Sequence, residues 1–155
     1  KKLGEEIVPV AKLSDHKQDA ILHNYYTTKL LERLLQRIST ETGLGSNELI
    51  VIHYLSCFPN SNVTKDMSLF TDINQFLLVP LLEKLVFNEY VTRVKSSDFE
   101  TYYSLTQKAK SITKQLNQLT QDFDSIRFAG IEPSTQKLLQ STEETIYENI
   151  RQKLT

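Results

Sequence analysis

The chain has one cysteine, Cys57, and no tryptophan. A single thiol excludes an intrachain disulfide and a cysteine-rich zinc site, and it fits a reducing cytoplasm as the place of work. Long apolar runs are missing as well. The densest patch, Phe76 to Leu82, falls far short of the roughly 20 residues that a spanning helix needs. The first residues have no apolar stretch leading to a cleavage site, so neither export nor membrane attachment is expected. An excess of one charge is also lacking: 18 Lys and Arg stand against 19 Asp and Glu, for a formal charge of −1. That balance does not by itself announce a nucleic-acid binder, yet a neutral chain can still carry locally basic surfaces.

Catalytic arrangements are equally scarce. The chain shows no Ser/His/Asp set, no glycine loop built to cradle phosphate and no His-x-x-x-His pair. His16, Asp19 and His23 share one helical segment, but residues seven apart on a helix lie about 10 Å apart, too far to share one ion. Glu143, Glu144 and Glu148 space as solvating charges beside Arg151 rather than as a catalytic cluster. No enzyme activity, metal or cofactor is expected.

Periodicity in the 155 residues supports one subunit with a real core. From Ser14 to about Ile38, Leu31, Leu34, Leu35 and Ile38 follow helical spacing, and Ile21, Leu22, Tyr25 and Tyr26 extend the stripe upstream. Gly43 and Gly45 end that helix, and Ser46 is placed to cap a second one carrying Leu49, Ile50, Ile52, His53 and Leu55. Pro59 to Asn62 reads as a turn, and a short third helix follows Val63 and ends near Phe70. Leu78, Leu81, Leu82 and Leu85 mark a fourth helix within Asp72 to Asn88. Pro80 removes a backbone donor, which moves its expected start toward Leu77. Two β-rich runs, Tyr90 to Lys95 and Thr101 to Leu105, flank a polar tip from Ser96 to Glu100. Helical patterning resumes at Thr106 with Leu116, Leu119, Phe123 and Ile126. Gly130 and Pro133 then open a last helix with Leu139, Ile146, Ile150 and Leu154.

Short helix, long helix and hairpin in that order are the parts of a winged helix-turn-helix, a module that binds duplex DNA. The fold class expected is therefore mainly α with a small β-wing, between long N- and C-terminal helices. Residues 14–40 and 106–155 would form the dimerisation helices and 46–105 the DNA-binding module of a single subunit spanning 1–155. Apolar stripes left in water would forfeit roughly 1.5 to 3 kcal/mol per large side chain, which favours a two-fold homodimer.

Three runs carry a resemblance: Val79-Pro80-Leu81-Leu82-Glu83-Lys84-Leu85, Tyr90-Val91-Thr92-Arg93, and Ser104-Leu105-Thr106-Gln107-Lys108-Ala109. In order and wording they resemble the MarR family of dimeric winged-helix transcription regulators, near its staphylococcal accessory-regulator branch. The likeness implies a reading helix in the major groove, a wing in the adjacent minor groove and a dimer built from the end helices. By position it implies that Asn74, Gln75, Leu77 and Val79 read bases, with Lys65, Lys84, Arg93 and Lys95 approaching phosphates. Two departures follow. The wing's Asp-x-Arg becomes Asp98-Phe99-Glu100, an anion where a cation is usual, and no Lys or Arg lies between Lys65 and Lys84. Asn74 and Gln75 can still address adenine, and apolar side chains can meet thymine methyls. The alternative is a scaffold with weak or lost DNA affinity that offers Phe76, Leu77 and Val79 to a protein partner. Tyr25, Tyr26, His53 and Tyr90 are candidates for the lining of a small-molecule effector site, although packing at a core edge is the favoured account of them, since nothing in the sequence fixes a ligand's polar groups. Cys57 is expected as a small buried residue at the end of the second helix.

Overall fold

The structure, a computed structural model, describes residues 19–154. The expected helical turns from Ser14 to Gln18, and His16 with them, lie outside the described residues. Helix α1 (Ala20–Thr42) starts at Asp19, whose carboxylate accepts from the Leu22 N–H at 2.9 Å. It ends at Gly43, in the left-handed region at φ 73°. Glycine adopts that conformation without the Cβ clash that other residues meet. Helix α2 (Ser46–Cys57) begins one residue earlier than a Ser46 cap would allow. Gly45 is the cap, and its N–H donates to the Glu48 carboxylate at 3.0 Å.

Helices α3 (Thr64–Thr71) and α4 (Gln75–Phe87) are joined by a tight turn through Asp72 at φ 58°. Helix α4 starts at Gln75, not near Leu77. Asn74 caps it by accepting from the Phe76 N–H at 2.9 Å, so the first turn is satisfied before Pro80 is reached. Pro80 sits in the second turn, where its missing donor leaves the helix continuous.

Strands β1 (Val91–Lys95) and β2 (Thr101–Leu105) pair antiparallel, Val91 opposite Leu105 and Lys95 opposite Thr101. The hairpin is sewn to its neighbours from both ends. Asn62, in the α2–α3 turn, donates its side-chain amide to the Tyr103 carbonyl at 2.8 Å and accepts the Tyr103 N–H on its own carbonyl at 3.0 Å. At the base, Thr106 donates its hydroxyl to the Glu89 carbonyl, and Lys108 donates to the Asn88 carbonyl while lying 4.6 Å from the Tyr90 ring centre. A cation at the carbonyl end of α4 is favourable both as a donor and against the helix dipole. The Leu-Thr-x-Lys wording thus has a local physical use.

A short 3-10 turn (Gln107–Ala109) leads into α5 (Lys110–Arg127), and α6 (Pro133–Leu154) completes the chain. The core joins Leu34 and Ile38 of α1, Leu49, Ile52 and Leu55 of α2, Met67 of α3, Leu78, Leu82 and Leu85 of α4, and Ile112, Leu116 and Leu119 of α5. This is a winged helix-turn-helix between long terminal helices. Among the described residues no helix is long and apolar enough to cross a membrane.

Helix α6 buries none of its residues. It is tied back at its middle by Arg127, which donates to Asp124 and Glu143 at 2.9 Å each and lies against the Phe123 and Phe128 rings. Glu143 is therefore a structural counter-ion rather than a solvating charge. Near the C-terminal end of α6, the Arg151 guanidinium stands 5.7 Å from the Phe70 ring centre on α3. Hydrogen bonding from Arg127 holds the Glu143 carboxyl below the usual glutamate range. Its contribution to stability is complete above the unfolded-state pKa and is lost as pH falls through the depressed folded value. Amide exchange in the middle turns of α6, around Glu143, should therefore accelerate in acid below the ordinary glutamate range. Glu143→Gln should show the faster exchange already at neutral pH and a flatter pH response.

Candidate nucleic-acid interface

Leu78, Leu82 and Leu85 face inward and are fully buried, which decides where the rest of α4 points. Positions 76, 80, 83 and 87 run along the opposite side of a 3.6-residue helix. The outward face therefore carries Phe76, 89% exposed, then Pro80, Glu83 and Phe87, with Leu77 (66% exposed) and Val79 on its flanks. Gln75 and Asn74 complete its N-terminal end. A shallow, open depression of about 870 Å³ is bordered by Ser68, Asp72, Asn74, Gln75, Phe76, Val79 and Pro80. Phe76, expected only as part of a contact for a protein partner, and Pro80 were not among the residues that the likeness placed on the base-reading face. Counting turns outward from Leu78 and Leu82 would have found them.

Of the side chains expected to read bases, Gln75, Leu77 and Val79 are exposed on α4, whereas Asn74 stands one residue before it with its amide oxygen engaged as the cap. The four cations divide into two pairs. Lys84 lies 2.7 Å from the Glu48 carboxylate, a buried acid that needs a counter-ion, and Arg93 on β1 is ion-paired with Glu83 on α4. Both tie the reading helix to its neighbours. Lys65 and Lys95 are exposed, with no ion pair to any described residue. They belong to α3 and β1, the elements that pack against α4.

The wing tip is built around Asp98. Its carboxylate accepts from the Ser96 hydroxyl, the Glu100 N–H at 3.1 Å and the Tyr102 hydroxyl at 3.3 Å. These bonds, Ser96 first, hold the carboxyl below the usual range, and its charge pushes the Tyr102 phenol up. The anion is thus needed by the turn itself. Phe99 beside it sits at φ 65° and is 90% exposed, so the tip ends in an aromatic ring rather than in a cation.

The four effector candidates occupy different places. Tyr25 and Tyr26 form an exposed edge-to-face pair near the start of α1, with ring centres 5.7 Å apart, and Tyr90 lies under Lys108 at the wing base. His53 alone borders an apolar cavity of about 220 Å³ lined by Leu31, Leu35, Leu49, Ile50, Leu116, Leu119 and Thr120. Burial pushes its imidazole pKa down, and its Nδ1 is buried without a hydrogen-bond partner. Cys57 is exposed, contrary to the expectation of burial, because α2 ends there and turns that residue away from the core. Its sulfur lies 3.6 Å from His53 Nε2.

No family model matches this sequence, and no curated protein matches it either. Solved structures do. A MarR-family transcriptional regulator from Silicibacter pomeroyi superposes with a TM-score of 0.73 at 17% identity, covering 90% of this chain and 97% of that one. A MarR-family regulator from Listeria monocytogenes, solved in complex with a 26mer DNA, gives a TM-score of 0.75 at 12% identity, over 88% and 92% of the two chains. MarR from E. coli in its apo form gives 0.62 at 17% identity, over 91% and 98%. At such identities the likeness establishes the fold, a winged helix-turn-helix with the terminal helices of these regulators.

Asn74 can be probed for the two uses open to it. Asn74→Ala should cost about 1 kcal/mol of stability through loss of the cap. Asn74→Asp keeps the cap acceptor but removes the amide donors an adenine edge requires. Denaturant melts of both variants should show the alanine protein weakened and the aspartate protein near the parent.

Proposed function

We propose that this chain is a MarR-type transcriptional regulator that binds promoter operators in the cytoplasm as a homodimer. The observation that carries the reading is the exposed N-terminal half of α4 beside the β1–β2 wing, in a fold whose solved counterparts include one bound to DNA. Nothing in the site resembles a catalytic arrangement, and the reading is that of a non-enzyme. The wording of residues 79–85 and 90–93 is the ground for a position near the staphylococcal accessory-regulator branch.

Dimerisation is supported by what the single subunit leaves uncovered. Ile21, Tyr25 and Tyr26 on α1 and Leu138, Ile146, Tyr147, Ile150 and Leu154 on α6 are all exposed. Leaving each in water forgoes roughly 1.5 to 3 kcal/mol, an ample incentive for a second copy. A two-fold axis through these helices would set two reading helices on one face of the duplex, with half-sites about one helical turn apart.

Charge supports a shallow salt dependence. With Lys84 held by Glu48 and Arg93 by Glu83, few cations per subunit remain for phosphates, and the slope of affinity against salt follows the number of phosphates neutralised. A second reading, an interaction module for a protein partner, is favoured by the exposed Phe76, Leu77 and Val79 near the exposed Asp72. Band-shift selection from a random duplex library at two salt concentrations separates the two. Palindromic sites recovered by a dimer support the regulator, and failure to enrich any sequence moves the weight to the interaction module. Glu83→Gln releases Arg93. It should tighten binding to a selected site and steepen the salt slope by about one unit for each added phosphate contact. An unchanged slope would show that Arg93 does not reach the backbone.

A further inference from the structure

The outward face of α4 lacks a free cation or carboxylate, the groups that usually read a G·C pair. No cation occurs from residue 66 to residue 83, so α4 has no fork for guanine O6 and N7 until Lys84, which Glu48 holds. The helix's one carboxylate, Glu83, which could otherwise accept from cytosine N4, is engaged by Arg93. In their place stand Phe76, Leu77 and Val79, exposed in the first turns, where recognition helices meet base edges. An apolar side chain pressed on a polar base edge strips water from donors and acceptors without replacing it, which opposes binding. Only thymine presents an apolar group, its C5-methyl, in the major groove.

Resting on the DNA-binding reading above, we infer that this protein recognises its half-site through thymine methyl groups. Phe76, Leu77 and Val79 make those contacts, and Gln75 is the side chain that addresses an adjoining adenine. The charge distribution fits such an occupant. An apolar centre lies on α4, while exposed Lys65 and Lys95 lie on the elements packed against it, as a groove floor lies between two phosphate strands. Selection is both positive and negative. Thymine gains contact, and a G·C pair at the same position loses hydration with nothing in return.

The test replaces each thymine of a selected half-site by deoxyuridine, which keeps the pairing and both carbonyl oxygens and removes only the methyl. With the full chain, the selected half-sites should be rich in thymine at their centre. Each contacted methyl removed should weaken binding about fourfold. The factor should be the same at low and high salt, because no phosphate contact changes. Phe76→Ala alters an exposed side chain, so its thermal melt should match the parent, and it should abolish the deoxyuridine penalty at one base while leaving the others. Equal affinity for thymine and deoxyuridine sites, or selected sites with G·C at the contacted positions, would overturn the methyl reading while DNA binding stood. Absence of any selected site would overturn the DNA-binding reading and this inference with it, and would turn attention to a protein ligand for the same face.

Discussion

Burial of Leu78, Leu82 and Leu85 against α2, α3 and the wing is the constraint on which the site depends. Three leucines on one side of a short helix leave no freedom in how that helix is rotated, since turning it by a fraction of a turn would expose a leucine and bury Glu83 or Pro80. The same packing that makes the core therefore determines which side chains a partner meets. What is presented is an aromatic ring, two aliphatic side chains and a proline, in a fold shared with a regulator solved in complex with DNA.

Charge has been spent on holding the module together. Glu48 is buried at the start of α2 and takes both a backbone N–H from Gly45 and the ammonium of Lys84, which ties α2 to α4. Glu83 and Arg93 tie α4 to β1, and Asp98 organises the wing tip from within. Each of these pairs removes a charge that would otherwise be available to a ligand. An ion pair with a buried member holds more firmly than one in open water, and Glu83 is far more exposed than Glu48, so of the two paired cations Arg93 is the more readily exchanged. The module is stiffened by the same groups that leave its face poor in positive charge.

The terminal helices raise the complementary question of what a single subunit leaves unfinished. Helix α1 is buried only at Leu34 and Ile38, toward its C-terminal end, while α6 buries nothing. Arg127 and Glu143 tie the middle of α6 to α5, and Arg151 brings its far part near Phe70 on α3. A helix held by polar clamps and presenting apolar residues outward is arranged for a further surface. Its contact with α3 also places the terminal helix beside the support of the reading helix.

Much of the architecture was legible in the residues. Among the described residues, helical spacing located each of the six helices, Gly43 marked the end of α1, and β-branched and aromatic clustering placed the hairpin within one residue. These features are local, and local rules suffice for them. The start of α4 was misplaced, because Pro80 weighs against a helix only until Asn74 is known to cap it, and Cys57 was expected inside because burial at a helix end depends on where the chain turns next. The same limit governs the site. Composition established that no cation lies on the reading helix between Lys65 and Lys84. Tertiary structure decided that Lys84 and Arg93 were already paired and that Phe76 stands outermost, because ion pairs between elements and helix rotation depend on residues of different elements that meet only once the core has closed.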